Sequence, residues 1–415
     1  MPEIPRERAL DSTLALLADP YRFVSRRCRA HGADLFETRL LLRPTVCMTG
    51  PEAAALFYDT TRFERAGAMP GAVRKTLLGQ GGVQGLDDEA HRHRKAMFLS
   101  LLAPDRIGGL VEAVDREWEA AVPRWAAQER VELYGVVQRL LTRAVCAWTG
   151  VPLPEDEVER RTRELVLLFD AAGAKNLRHL ASRLARKRAN RWAADVVERV
   201  RAGELHPSEG TAAHTIAWHR DLGGELLGPH TAAVALLNVL RPTVAVSVFI
   251  TFVAHALHQH PEARRTVEAG EDGADWRFVQ EVRRHYPFFP VVAARARRQI
   301  EWKGYTLPKG RRVLLDLFGT DHDARTWDEP EAFRPERFRD WDESPFGFIP
   351  QGGGDHATNH RCAGEWVTIA LMEQAVGVLA RRIRYDVPPQ DLTIDERRLP
   401  ALPKSRVLIE NVRPA

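Results

Sequence analysis

The sequence predicts a mainly α fold, a large helical domain with a small β-rich region. Three observations carry that expectation. Apolar residues recur at helical spacing over most of the chain. Strand signals gather in only two places, 34–50 and 297–317. One apolar run, from Thr231 to Leu257, has the length of a core helix in a large helical domain. No internal repeat and no long linker divides the chain, so 1–415 reads as a single domain.

Taken in order, 51–60, 90–101, 105–127, 131–149, 156–172 and 176–202 each carry apolar positions at i, i+3 and i+4 and are predicted helices. The same spacing predicts helices over 229–258, 272–285 and 364–384. "DLFETRLLLRPTVCMTG" (34–50) reads as two short strands around a turn at Arg43-Pro44. "RRQIEWKGYTLPKGRRVLLDL" (297–317) reads as strands around Gly304 and Pro308-Lys309-Gly310. The stretch 203–230 is the most loop-like.

At 415 residues, 44% hydrophobic and 28% charged, the chain has an ordinary soluble balance and enough length for a sizeable core. A net charge of +4 argues against a dedicated nucleic-acid binder. The start, "MPEIPRERALDS", shows no apolar h-region, and Cys28, Cys47, Cys146 and Cys362 are too scattered for a disulfide framework or a zinc site. A cytoplasmic location is expected. The segment 175–201 carries Lys175, Arg178, Arg183, Arg186, Lys187, Arg188 and Arg191, readable as a site for an acidic partner or a nucleic acid, or as a solvated helix face; with no stacking aromatics beyond Trp192 the solvated face is the expectation.

"NVLRPTVAVSVF" (238–249) sets the first chemical question, because Arg241 and Pro242 fall together inside the apolar run. An unpaired buried charge costs several kcal/mol, and a proline inside a helix costs about 3 kcal/mol. The pair also argues against a membrane span. A second signal is "FIPQGGGDHATNHRCAGEWVTIALMEQAVGVL" (348–379), a glycine-rich loop leading through Cys362 and Gly364 into a helix. A thiol just ahead of a helix feels the positive end of its dipole, and His360 and Arg361 add donors and charge, so thiolate is expected there. One thiolate with glycines that let a flat ligand approach suits a soft metal centre, with haem iron the leading case.

At these residues the chain resembles the cytochrome P450 superfamily. Phe348, Gly352, Cys362 and Gly364 are similar to its haem loop; "EVRR" supplies Glu281 and Arg284, and "RPERF" supplies Arg337. The resemblance implies haem b between the long central helix and the Cys loop, Cys362 as axial ligand, and a buried Glu281–Arg284–Arg337 network. It also implies propionate donors at His91 and Lys95 of "HRHRK", where lysine stands in place of the usual arginine, with His360 and Arg295 as further haem-binding candidates.

Two departures narrow the resemblance. The central helix reads "LRPTVAV" where monooxygenases carry an acid–alcohol pair, and Thr243 stands alone. Phe348 and Cys362 are fourteen residues apart, longer than in ordinary members. With "GGVQGLD" and "EVRRHYPFFP", these features resemble the bacterial fatty-acid peroxygenases, which use hydrogen peroxide with no obligatory redox partner. The resemblance implies that Arg241 pairs with a long-chain fatty-acid carboxylate, with Pro242 interrupting the helix beside it and aiming the guanidinium. The bound carboxylate then shuttles the proton for O–O cleavage, and oxidation falls at the α or β carbon. Leu78, Gln84, Phe288, Phe289, Pro290 and Val291 are the implied pocket residues. Hydroxylating members resemble this chain in having glutamine at Gln84, whereas the best-known alkene-forming member has histidine. Competing readings are a decarboxylase forming terminal alkenes, a reductase-fed monooxygenase, and a non-catalytic haem carrier or sensor.

Overall fold

The helix Pro229–Gln259 runs through the middle of the protein, and nearly every side chain from Ala232 to Leu257 is buried. Its hydropathy and length would suffice for a membrane span, yet 89% of the apolar window is buried inside the protein. It earns that burial by packing against Leu133–Thr149, Leu177–Arg201 and Glu365–Gly377. Each large aliphatic side chain buried between these faces contributes about 1.5–3 kcal/mol. A computed structural model describes residues 3–171 and 177–415. Lys175, and the ends predicted at 172 and 176, lie outside the described residues.

The β structure sits at the edge of this helical body. A five-stranded sheet runs in the order Leu35–Leu40, Arg43–Met48, Arg312–Asp316, Val291–Ala296, Phe63–Glu64. The first pair is antiparallel with Leu35 opposite Met48; Arg43–Met48 then pairs parallel with Arg312–Asp316. Ile300–Trp302 and Tyr305–Leu307 form a separate hairpin, and Arg130–Glu132, Leu408–Pro414 and Ile383–Asp386 a three-stranded sheet. Val291–Ala296 pairs antiparallel with Arg312–Asp316, Val291 opposite Asp316 at one end and Arg295 opposite Arg312 at the other.

Two expectations are corrected. The hairpin turn is at Leu41-Leu42, both at positive φ (52° and 59°), while Arg43 and Pro44 are already in the strand. Proline fits there because parallel pairing on its other side begins only at Thr45. The predicted helix 364–384 ends at Gly377; a wide turn, Val378–Arg382, follows, and Ile383–Asp386 is claimed by the C-terminal strand. The loop-like stretch contains one short helix, Ala212–Trp218, started by Thr211, whose side chain accepts from the His214 N–H.

Candidate active site

Cys362 stands two residues ahead of Gly364, which precedes the helix Glu365–Gly377. Its N–H donates to the Gln351 carbonyl at 3.0 Å, which fixes the loop across its neck. The additional loop residues close on themselves. Asp355 and Asn359 exchange bonds of 2.8 and 3.0 Å, Thr358 donates to Asp355 Oδ1 at 2.7 Å, and Asn359 Nδ2 donates to the Tyr58 carbonyl at 2.9 Å. Gly353 has no alternative residue, since a Cβ there would lie 2.7 Å from both Ile349 Cγ2 and the Pro345 carbonyl. Packing pushes the Cys362 thiol up, and Glu365 adds to this; the Gly364 N–H, Lys95 and Arg283 pull it down. The expected thiolate preference of the bare loop is thus outweighed by burial, and a cation on the sulfur is needed to hold the thiolate.

One edge of the loop gathers cations. His91 and His360 stack with ring centroids 3.8 Å apart, and His360 Nε2 lies 2.9 Å from the Leu86 carbonyl. Burial pushes His91 down to about 4 and His360 to about 2, so both rings are neutral near pH 7. Lys95, pushed down to about 8 by burial, donates to the carbonyls of Asn359 and Arg361, the latter at 2.8 Å. Sequence reasoning passed over Arg65. It stacks on the Phe57 ring at 4.3 Å and donates to the Ala293 carbonyl at 3.0 Å. Arg295 is half-buried on the neighbouring strand, while Arg297 is engaged elsewhere, with Asp88 at 2.8 and 3.0 Å.

The far side of the loop is braced by two buried ion networks. Arg284 grips Glu281 through both carboxylate oxygens, at 2.7 and 2.8 Å, and both side chains are fully buried. Arg337 reaches the same carboxylate at 3.3 Å, and Arg284 also donates to the carbonyls of Asp321, Pro330 and Ala332. Nearly every donor is used, the condition under which buried charge is tolerated. The second network was not foreseen. Glu365 is held between Arg283 and Arg361, the latter at 2.6 Å, and Arg283 lies over the Phe348 ring at 5.1 Å. The signal was present in the sequence as a second arginine beside Arg284 and a glutamate three residues after Cys362.

On the central helix, Arg241 is 6% exposed. It donates to the Leu77 carbonyl and, at 3.2 Å, to Asn238 Oδ1; its Nε has no partner, and no carboxylate pairs with it among the described residues. Burial, with Arg186 adding repulsion, pushes it down to about 9, still charged near pH 7. Asn238 Nδ2 in turn reaches Gln84 Oε1 at 3.5 Å, which connects Gln84 to Arg241. Leu78 closes the wide turn Arg74–Leu78 beside them. Pro242 does not interrupt the helix, which runs unbroken from Pro229 to Gln259. The turns on either side are fixed by core packing, and Thr243 Oγ1 donates to the Val239 carbonyl at 2.9 Å, next to the bond proline cannot make. Phe288 packs on Phe249 and Phe289, each at 4.4 Å between centroids, and its carbonyl accepts from the Tyr21 hydroxyl at 2.7 Å. Phe289 and Val291 are half-buried next to it.

These residues fit a haem. A single soft donor, Cys362, stands on a loop across from the central helix, and among the described residues no cluster of three His, Cys, Asp or Glu side chains could hold a bare ion. Lys95 is a buried cation and Arg65 a half-buried one, both bonded to carbonyls rather than to carboxylates, so that edge can take the two propionates.

The family model for cytochrome P450 matches residues 277–409. Solved structures that match nearly the whole chain include the following two. Cytochrome P450SP alpha (CYP152B1) in complex with (R)-ibuprophen is 57% identical, covering 98% of this chain and 99% of that one with a TM-score of 0.96. Cytochrome P450EX alpha (CYP152N1) with myristic acid is 45% identical, with all of both chains covered and a TM-score of 0.97. Similarity to curated proteins is more distant. Cytochrome P450 71D18 of Mentha gracilis is 30% identical over 130 residues, 30% of this chain and only 25% of the length of that relative.

Proposed function

The chain belongs to the cytochrome P450 family, and from that premise we propose that it is a haem-thiolate peroxygenase that hydroxylates long-chain fatty acids at the α or β carbon with hydrogen peroxide. The observation that carries this reading is Arg241, a buried guanidinium with no carboxylate partner among the described residues. A fatty-acid carboxylate supplies the missing anion, and a charge-assisted contact of this kind is among the strongest available in a low-dielectric pocket.

Haem held by Cys362, when bound, supplies the cleavage of the peroxide O–O bond and the oxidising power that follows. The chain's own residues set where that power is spent. Arg241 fixes the acid's headgroup, and Asn238 fixes Arg241. Phe288, Phe289 and Val291 offer an apolar wall to the alkyl chain and exclude water. No acid or paired alcohol on the central helix stands ready to move a proton, so a carboxylate oxygen of the substrate accepts and returns it. Anchoring the carboxyl group leaves only the first two carbons within reach. With that relay brought in by the substrate, no reductase is required. Myristic acid in a relative 45% identical to this chain supports the substrate class. Gln84, a neutral amide linked to Asn238, supports hydroxylation over alkene formation, because it holds no exchangeable charge beside the headgroup.

The test is product chromatography after mixing the holoenzyme, a long-chain acid and hydrogen peroxide. A 2- or 3-hydroxy acid is expected. Arg241→Leu should keep its haem and lose about a hundredfold in turnover, the size of a lost charge-assisted pair. A substrate without a carboxylate should react only when a short carboxylic acid is added. Equal turnover with and without that acid would exclude the substrate-assisted route.

A further inference from the structure

A second buried guanidinium lies close to Arg241. Arg186, on the helix Leu177–Arg201, is 4% exposed, and none of its three nitrogens has a hydrogen-bond partner among the described residues. It sits against Gly79, where a Cβ would come 1.7 Å from Arg186 Nη2; Gly79 has φ +84°, so both space and backbone demand glycine. Arg241 donates to the Leu77 carbonyl, two residues back on the same turn. The two guanidiniums therefore flank one short turn, Arg241 on its inner side and Arg186 towards the surface.

Arg186 also lines a cavity of about 890 Å³ that opens to solvent. Lys75, Arg183, Lys187, Arg191 and His230 share its walls, and no carboxylate does. Leu180 and Leu184, about half exposed, give it an apolar side. A buried cation without a counter-charge costs several kcal/mol and persists where something offsets it. A mouth that is both cationic and leucine-lined suits an amphiphilic anion better than an inorganic one.

We propose that Arg186 is a receiving site for the carboxylate of the incoming fatty acid, occupied in transit before the headgroup passes the Gly79 turn to Arg241. The inference rests on the Arg241 reading and adds a route and a second substrate-binding residue to it. Lys75, Arg183, Lys187 and Arg191 draw the anion in; Arg186 takes it out of water at a point where Arg241 is one turn away. A site used only in transit lowers the barrier in both directions, so its loss slows association and dissociation together and leaves the equilibrium unchanged.

The experiment is rapid mixing of the holoenzyme with myristate, without peroxide, followed by haem absorbance. Arg186→Gln should lower the association and dissociation rate constants by a common factor of about ten, with Kd unchanged. Arg186→Lys should recover most of the rate, and the uncharged alcohol of the same chain length should bind all three proteins at one rate. Because the variant removes an unpaired buried charge, Arg186→Gln should melt at or above the wild-type temperature. Equal myristate association rates in wild type and Arg186→Gln would overturn this inference alone, as would a raised Kd at an unchanged association rate. A wild-type holoenzyme that does not take up myristate would overturn the Arg241 reading and this inference with it.

Discussion

Asn238 Oδ1 accepts a hydrogen bond from Arg241 Nη2 at 3.2 Å, one helical turn apart on the central helix. The contact leaves the guanidinium's charge uncompensated, unlike a bond to a carboxylate, and still restricts its rotation. Asn238→Ala should lower kcat/KM about tenfold, in line with about 1.5 kcal/mol for a hydrogen bond to a charged group. Asn238→Asp should lose more, since an acid at that position competes with the substrate for Arg241. Steady-state kinetics of both variants decide the point; an aspartate variant as active as wild type would remove Asn238 and Arg241 from a common site.

Cys362→Ala should abolish the red-shifted Soret band that thiolate ligation gives the ferrous carbonyl. The fold should survive, because the loop is tied by Asn359 to Tyr58 and by Glu365 to Arg283 and Arg361, not by the sulfur. Retention of the band in the variant would reassign the ligand.

Gln84→His should raise the alkene share of the products. An imidazole beside Asn238 can hold a proton near the headgroup, which the amide cannot. Chromatography of both product classes from one saturated acid measures it. An unchanged ratio would give control to pocket shape, with Leu78 and Phe288 as the next positions to vary.

Asp316 sets a pH dependence on stability. It is buried, and Oδ1 accepts from the Gly319 N–H at 2.7 Å. Burial raises its pKa from 3.8 to about 7. The folded protein thus holds the proton more tightly than the unfolded chain. The stability this contributes is complete below pH 4 and is lost as the pH rises towards 7, with a cost that levels off near about 4 kcal/mol. Asp316→Asn keeps a cap for the following helix and should flatten the profile, gaining on wild type at pH 8 and not at pH 4. Parallel urea-unfolding profiles for the two proteins would refute this.

Much of the site was legible because its residues break local rules. Arg241 and Pro242 violate the pattern of a core helix, and Cys362 interrupts a glycine-rich loop; Glu281, Arg284 and Arg337 follow in motif order. What stayed hidden depends on contacts between distant segments. Arg65 looks like any surface arginine until Ala293 and Phe57 close around it. The partnership of Arg283 with Glu365 spans 82 residues and leaves no local trace. The hairpin turn was misplaced because proline was given its usual role, whereas two leucines adopt the left-handed conformation instead. Of the basic run along Leu177–Arg201, Arg183, Lys187, Arg188 and Arg191 are exposed as expected, but Arg186 turns inward, a difference of one helical position that composition cannot register.

Pro242 has a consequence for anyone seeking a hardier catalyst. Alanine there would return an N–H to the Asn238 carbonyl and remove a residue costing about 3 kcal/mol in a helix interior. A screen for heat tolerance would therefore favour that exchange. Yet the repaired turn is the one that carries Asn238 and Arg241, and if Arg241 anchors the substrate carboxylate as proposed, tightening that turn should shift the anchor. On that reading robustness and regioselectivity would be coupled through a single backbone carbonyl, and selection for the first should show up as drift in the second.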